Sequence, residues 1–145
     1  MTAERPVPRS MEMRVAPERA ALETTRQAVL GFLEPHALSA RSIYAVELVL
    51  EEALTNVIAY AYPQGQAGRV SLGVRVLADA VELCIEDDGV EFDPLGVAPS
   101  PMPASIAEAT PGGLGLLLIR RFARDVGYRR ADGRNVLTVV VALSA

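Results

Sequence analysis

The chain has no lysine: all 14 of its basic residues are arginine. A Walker-type phosphate loop needs a lysine on the β- and γ-phosphates, so that class of nucleotide site is excluded, as is Schiff-base chemistry on a lysine. The one histidine, His36, is too few for zinc sites built on paired histidines. The one cysteine, Cys84, allows no internal disulfide, which fits a reducing compartment. No apolar run approaches a transmembrane span, and the polar, proline-bearing stretch Met1–Ser10 has no apolar signal-peptide core. A cytoplasmic protein is expected, with residues 1–10 a loose tail and 11–145 one domain. The formal net charge of -4 argues against a nucleic-acid or anionic-membrane surface.

What is present is a foldable chain: 50% of its 145 residues are apolar, enough for a core. Met11, Met13 and Val15 alternate with Glu12 and Arg14, the pattern of a first, edge strand. Pro17 suits a helix start, and Pro35 ends the stripe running from Ala20 to Leu33. Ser39 and Ser42 are candidate N-caps for a second helix over roughly 41–61, with an apolar stripe of Ile43, Val46, Leu50, Ala53, Leu54, Val57 and Ala61. Glu52 and Asn56 are expected to project nearly opposite the centre of that stripe.

Two strands follow, one presenting Val70, Leu72, Val74 and Val76, the other Val81, Leu83 and Ile85. Residues 94–112 carry Pro94, Pro99, Pro101, Pro103 and Pro111, and a loop this long inside a compact domain is usually functional. A third helix is expected from the Gly112 region through about Val126. Tyr128–Ala131 and Asn135–Leu143 then form a closing hairpin turning at Asp132-Gly133. The last strand is apolar on both faces, so a central place is expected for it. The order implies an α+β two-layer sandwich: a mixed, mostly antiparallel sheet with helices on one face.

Three motifs carry the chemistry. Glu52 and Asn56, at i and i+4, share a helix face and can reach one ligand; a carboxylate can take a proton from a hydroxyl, and a neutral amide oxygen suits Mg²⁺. The plain alternative is a solvated helix face. Asp87 continues the series Val81, Leu83, Ile85, so it points toward the apolar side, where a carboxylate needs a partner such as an adenine amino group. Gly89 permits close approach of a base or ribose; the plain alternative is an Asp-Gly turn. Gly112, Gly113, Leu114 and Gly115 open the third helix, where exposed amides attract phosphate; the plain alternative is a flexible loop.

In this order the motifs resemble the GHKL (Bergerat-fold) ATPase superfamily of gyrase-type ATPases, histidine kinases and mismatch-repair ATPases. Within it the chain is most similar to the small bacterial anti-sigma-factor serine kinases. The resemblance lies in Glu47–Pro63 (ELVLEEALTNVIAYAYP), Ile85–Pro94 (IEDDGVEFDP) and Gly112–Val126 (GGLGLLLIRRFARDV), followed by Tyr128 and Gly133-Arg134-Asn135. It implies ATP held between the second helix, the strand ends and a lid over 95–111. Glu52 would be the general base, Asn56 the Mg²⁺ ligand, and Asp87 the adenine acceptor beside Gly89. Gly112, Gly113, Leu114 and Gly115 would lie along the phosphates.

The implied partners are an anti-anti-sigma protein of the STAS type, whose serine is phosphorylated, and a sigma factor. A homodimer is suggested by the apolar first strand and the two-sided last strand. Two departures stand out. Glu91 takes the place of the second glycine of Asp-x-Gly-x-Gly-Phe, where a positive φ would strain it. Tyr60 stands where many relatives carry histidine. Glu91 motivates a second reading, a partner-switch module with little or no nucleotide chemistry. A third reading is the detached catalytic domain of a histidine kinase, although the chain has no dimerisation helix bearing a phosphoacceptor histidine.

Overall fold

In a computed structural model, residues 7–65, 67–94 and 119–144 are described. The first strand, β1 (Ser10–Val15), buries Val15, with Met11 and Met13 half-buried against the core. Helix α1 (Ala20–Leu33) follows, closed by a 3₁₀ turn, Glu34–His36, that contains Pro35. Helix α2 (Ala40–Asn56) starts where expected: Ser39 is its N-cap and accepts a hydrogen bond from the Ser42 amide at 3.1 Å. Ser42 is buried, and its hydroxyl accepts from the Ser144 amide at 2.9 Å, which ties the end of the chain to the start of α2.

Strands β2 (Val70–Val76), β3 (Ala80–Asp87), β4 (Asp125–Ala131) and β5 (Arg134–Ala142) complete one sheet in the order β1-β2-β3-β5-β4. Every pairing among the described strands is antiparallel, in line with the mostly antiparallel sheet expected. Strand β5 lies between β3 and β4, which accounts for its apolar residues on both faces. One face of the sheet packs against α1 and α2, and Val46, Val49, Leu50, Ala53 and Leu54 meet Leu72, Val74, Leu83, Ile85, Leu137 and Val139 in the core. The other face carries Glu12, Arg14, Ser71, Arg75, Glu82, Cys84 and Glu86, none of them fully buried. The fold is therefore an α+β two-layer sandwich.

One boundary is corrected. The third helix does not run to Val126: the described helical residues stop at Phe122, and Asp125 already belongs to β4. Arg124 donates its backbone N–H to Val140 O at 2.7 Å, and Val126 pairs with Val139. Half-burial at Val126 and Tyr128, with Asp125, Gly127 and Arg129 exposed, is a strand's alternation, and ladder bonds to β5 override the helical pattern. The β4–β5 hairpin turns at Asp132 (φ +52°) and Gly133 (φ +75°), the two positive φ angles of a type I′ turn.

Candidate nucleotide site

Helix α2 ends beside the C-terminal end of β3. Its last turn widens into a π turn, Val57–Ala61, and the Val57 amide is shared between Ala53 O and Leu54 O. Such widenings re-aim the backbone. Here the widened turn presents Ala61 O to the chain leaving β3, and Val90 donates its amide to it at 2.9 Å. Gly89 is pressed on the same residue. A Cβ on Gly89 would overlap Ala61 O and come within 2.7 Å of the Ala61 Cβ. Gly89 thus meets the widened end of α2 in a contact that leaves no room for a side chain on that side.

Asp87 is 3% exposed, with its side chain on the helix-facing side of β3. Its Oδ1 accepts from the Gly89 amide at 2.9 Å and from Asn135 Nδ2 at 2.8 Å. Burial pushes its carboxyl above the usual carboxylate range, and these two hydrogen bonds with the Arg130 charge pull it partly back. The neighbouring Asp88 does something different. Its Oδ1 accepts from Tyr62 OH at 2.6 Å and from the Arg69 amide at 2.8 Å, which holds its carboxyl below the ordinary range. Asp88 thus pins the α2–β2 connection to the end of β3, while Asp87 looks into the cleft beneath it.

That cleft is lined by Ala53, Asn56, Val57, Asp87, Phe92, Pro94, Tyr128, Asn135 and Leu137, with a volume of about 20 Å³. It admits about one water. Asn56 is 5% exposed and shares the cleft with Asp87, so it does not project away from the core as expected. The stripe centre was placed from apolar residues alone, and the helix end is also covered by the end of β3 and the start of β5.

Glu52 is half-buried one turn before Asn56 and is not among the residues lining the cleft. Burial, reinforced by the Glu51 charge, raises its carboxyl above the usual range. Gly112, Gly113, Leu114, Gly115 and the lid lie outside the described residues.

The two departures are settled in part. Glu91 is exposed, and the positive φ angles of described non-glycine residues fall only at Ala37 and Asp132. Glu91 is therefore not strained as a glycine replacement. Tyr60 stacks on Phe92, with ring centroids 4.8 Å apart and planes 18° apart, and so backs the ring that lines the cleft.

The residue that ties the site together, Asn135, stands in the sequence only as the end of the third motif's tail, with no role assigned to it. It is 4% exposed, directly opposite Asp87 in the β3–β5 pairing. Its Nδ2 donates to Asp87 Oδ1 and to Val90 O, each at 2.8 Å. Its Oδ1 accepts from Tyr128 OH at 2.6 Å and from the Phe92 amide and Arg130 Nη1, each at 3.2 Å. Arg130 also donates to Gly89 O at 2.9 Å. A signal was present: Asn135 is in phase with Leu137, Val139 and Val141, as Asp87 is with Ile85 and Leu83.

The family model of the histidine kinase-like ATPase domain matches residues 15–141. The chain belongs to this family. Its curated relatives include proteins named as serine/threonine- or serine-protein kinases. It is 36% identical over 126 residues to the serine/threonine-protein kinase BtrW of Bordetella bronchiseptica, a match covering 84% of this chain and 89% of that one. It is 27% identical over 131 residues to the serine-protein kinase RsbW of Oceanobacillus iheyensis, covering 88% and 83%. Among solved structures, the RsbU and RsbW domains of a Mycobacterium tuberculosis protein give a TM-score of 0.68 at 15% identity, over 97% of this chain and 34% of that one. The SiaB-SiaC complex of Pseudomonas aeruginosa gives 0.59 at 19% identity, over 92% and 91%. These two show the shared fold. No helix among the described residues is long and apolar enough to cross a membrane.

The donor set fits a magnesium nucleotide of this ATPase family. Asp87 offers a buried acceptor to a base, and Asn56 a hard neutral oxygen in the same cleft. No group of three or more His, Cys, Asp or Glu side chains able to hold a metal occurs among the described residues.

Proposed function

We propose that this protein is an ATP-dependent serine kinase of the anti-sigma type, acting on a serine of an anti-anti-sigma partner and sequestering a sigma factor. The observation that carries the nucleotide part is the buried Asp87 carboxylate, held by Gly89 and Asn135 and bordering the same cleft as Asn56. The serine-kinase part rests on the relatives named serine-protein kinases.

In this reading Asp87 accepts the adenine amino hydrogen and Asn56 ligates Mg²⁺. Gly112, Gly113, Leu114 and Gly115 line the phosphates. The nucleotide supplies a transferable γ-phosphoryl group. Glu52 takes the proton of the attacking serine hydroxyl, and its raised pKa makes it a stronger base than a surface glutamate. The unstrained, exposed Glu91 weighs against the non-catalytic alternative.

The test is incubation of the protein with Mg²⁺ and γ-labelled ATP in the presence of anti-anti-sigma proteins from its own source. Label appearing as acid-stable phosphoserine on one of them, and absent with Glu52→Gln, is the expected result. Acid-labile phosphohistidine would instead support a histidine-kinase module. Nucleotide binding without transfer to any of them would support a switch without kinase chemistry.

A further inference from the structure

We infer that Asn135 is a positioning residue that sets base specificity, keeping Asp87 an ionised, acceptor-only reader of a 6-aminopurine. This rests on the nucleotide reading above and adds to it a residue that does not touch the ligand. The orientation of the Asn135 amide is fixed by its neighbours. The Phe92 amide and the Arg130 guanidinium can only donate, and both point at Oδ1, so the NH₂ group must be the one facing Asp87. Both Nδ2 hydrogens are used, on Asp87 Oδ1 and Val90 O. None remains for a base, so Asn135 acts through Asp87.

The consequence is chemical. An ionised carboxylate only accepts, so it pairs with the amino group of adenine and not with the keto oxygen that guanine presents at the same ring position. A protonated Asp87 would carry a donor and lose that discrimination. Burial favours protonation, and the hydrogen bonds from Asn135 and Gly89 oppose it. The other groups around Asp87 are Asp88 next in the chain, Arg130 and Tyr128 on β4, and Tyr62 after α2. Asp88 disfavours ionisation and Arg130 favours it. Burial, with the charges of Glu91, Asp93 and Asp87, raises the Tyr128 phenol above its ordinary range, and Arg130 opposes the rise. Asn135 also bonds Val90 O and the Phe92 amide, so it fixes the strand-end loop that borders the base position.

The experiment is calorimetric titration of ADP and of GDP, between pH 5 and 8, into the full chain and into Asn135→Leu, with Asn135→Thr retaining a donor. The native chain is expected to bind ADP in preference to GDP. In Asn135→Leu the acid limb of ADP affinity moves to higher pH, each unit of movement costing about tenfold in affinity below the limb. The ADP-over-GDP preference shrinks with it, and Asn135→Thr restores part of both. If Asn135→Leu does not fold, Asn135→Asp, of the same shape without the amide donors, carries the same expectation. A uniform loss of ADP affinity at every pH, with the preference unchanged, would overturn the proposal and leave Asn135 a purely structural residue. Failure of the native chain to bind either nucleotide would overturn the nucleotide reading itself, and this inference with it.

Discussion

Gly89 lies against Ala61 so closely that no side chain fits between the end of β3 and the widened end of α2. The adjacent Val90 amide donates to Ala61 O, so the contact is fixed by a hydrogen bond as well as by shape. This junction places Asp87, from the strand, beside Asn56, from the helix. Gly89→Ala is expected to destabilise the protein by about 1–3 kcal/mol through overpacking, and to weaken ADP binding beyond that because the two halves of the cleft are pushed apart. Denaturant unfolding and ADP titration of the same preparation check both. Native-like stability would show that the junction yields easily.

Glu91→Gly tests the departure in the second motif. Because Glu91 is exposed and has no positive φ, the glycine has no strain to relieve. The expected outcome is ADP affinity within about threefold of native, with stability unchanged or lower by up to about 1 kcal/mol from backbone entropy. A large gain in ADP affinity, measured by calorimetry, would show that glutamate there does impair the site.

Glu52→Gln should separate binding from transfer. Loss of the base is expected to slow phosphoryl transfer about 10²–10⁴-fold while ADP still binds. The base works ionised, so the native rate falls as pH drops through the Glu52 pKa. Burial and Glu51 raise that pKa, so the acid limb of the rate lies above the range of a surface glutamate. A pH–rate profile without that limb would remove Glu52 from the role.

Magnesium affinity should depend on nucleotide. Asn56 is the ligand proposed from the described residues, among which no group of three or more His, Cys, Asp or Glu side chains could hold a metal. Titrating Mg²⁺ into the nucleotide-free protein is expected to give no heat of binding, whereas Mg²⁺ strengthens ATP binding. Removing the metal with EDTA should abolish phosphoryl transfer. Tight Mg²⁺ binding without nucleotide would require ligands other than Asn56.

Much of the fold is legible in the sequence because burial follows period. The alternations Val70–Val76 and Val81–Ile85 and the stripe of α2 each have one apolar face to hide, and Ser39 has a helix to cap. The end of the third helix is not legible in the same way. Val126 is apolar in both a helical and a strand phase, and only the ladder to Val140 decides between them. The buried place of Asn56 is hidden because a helix end is covered by strands distant in sequence. Asp87 is visible as an acid in phase with apolar residues. Asn135 carries the same signature, but its meaning appears only when β5 is laid beside β3. The contact of Gly89 with Ala61 depends on a π turn that no residue pattern announces.

The central claim is that Asp87 reads a nucleotide from a buried, costly position. Its folded pKa is raised, so its contribution to stability is full below the unfolded pKa and is lost as pH rises through the folded value. At neutral pH the ionised group therefore costs stability. An asparagine keeps an oxygen for Gly89 and Asn135 but turns a donor toward the base. The decisive measurement is a thermal melt and an ATP titration, at neutral pH, of native protein and Asp87→Asn side by side. The account predicts that Asp87→Asn melts no lower than native and no longer binds ATP. ATP binding unchanged in Asp87→Asn, or absent in the native protein, would contradict it.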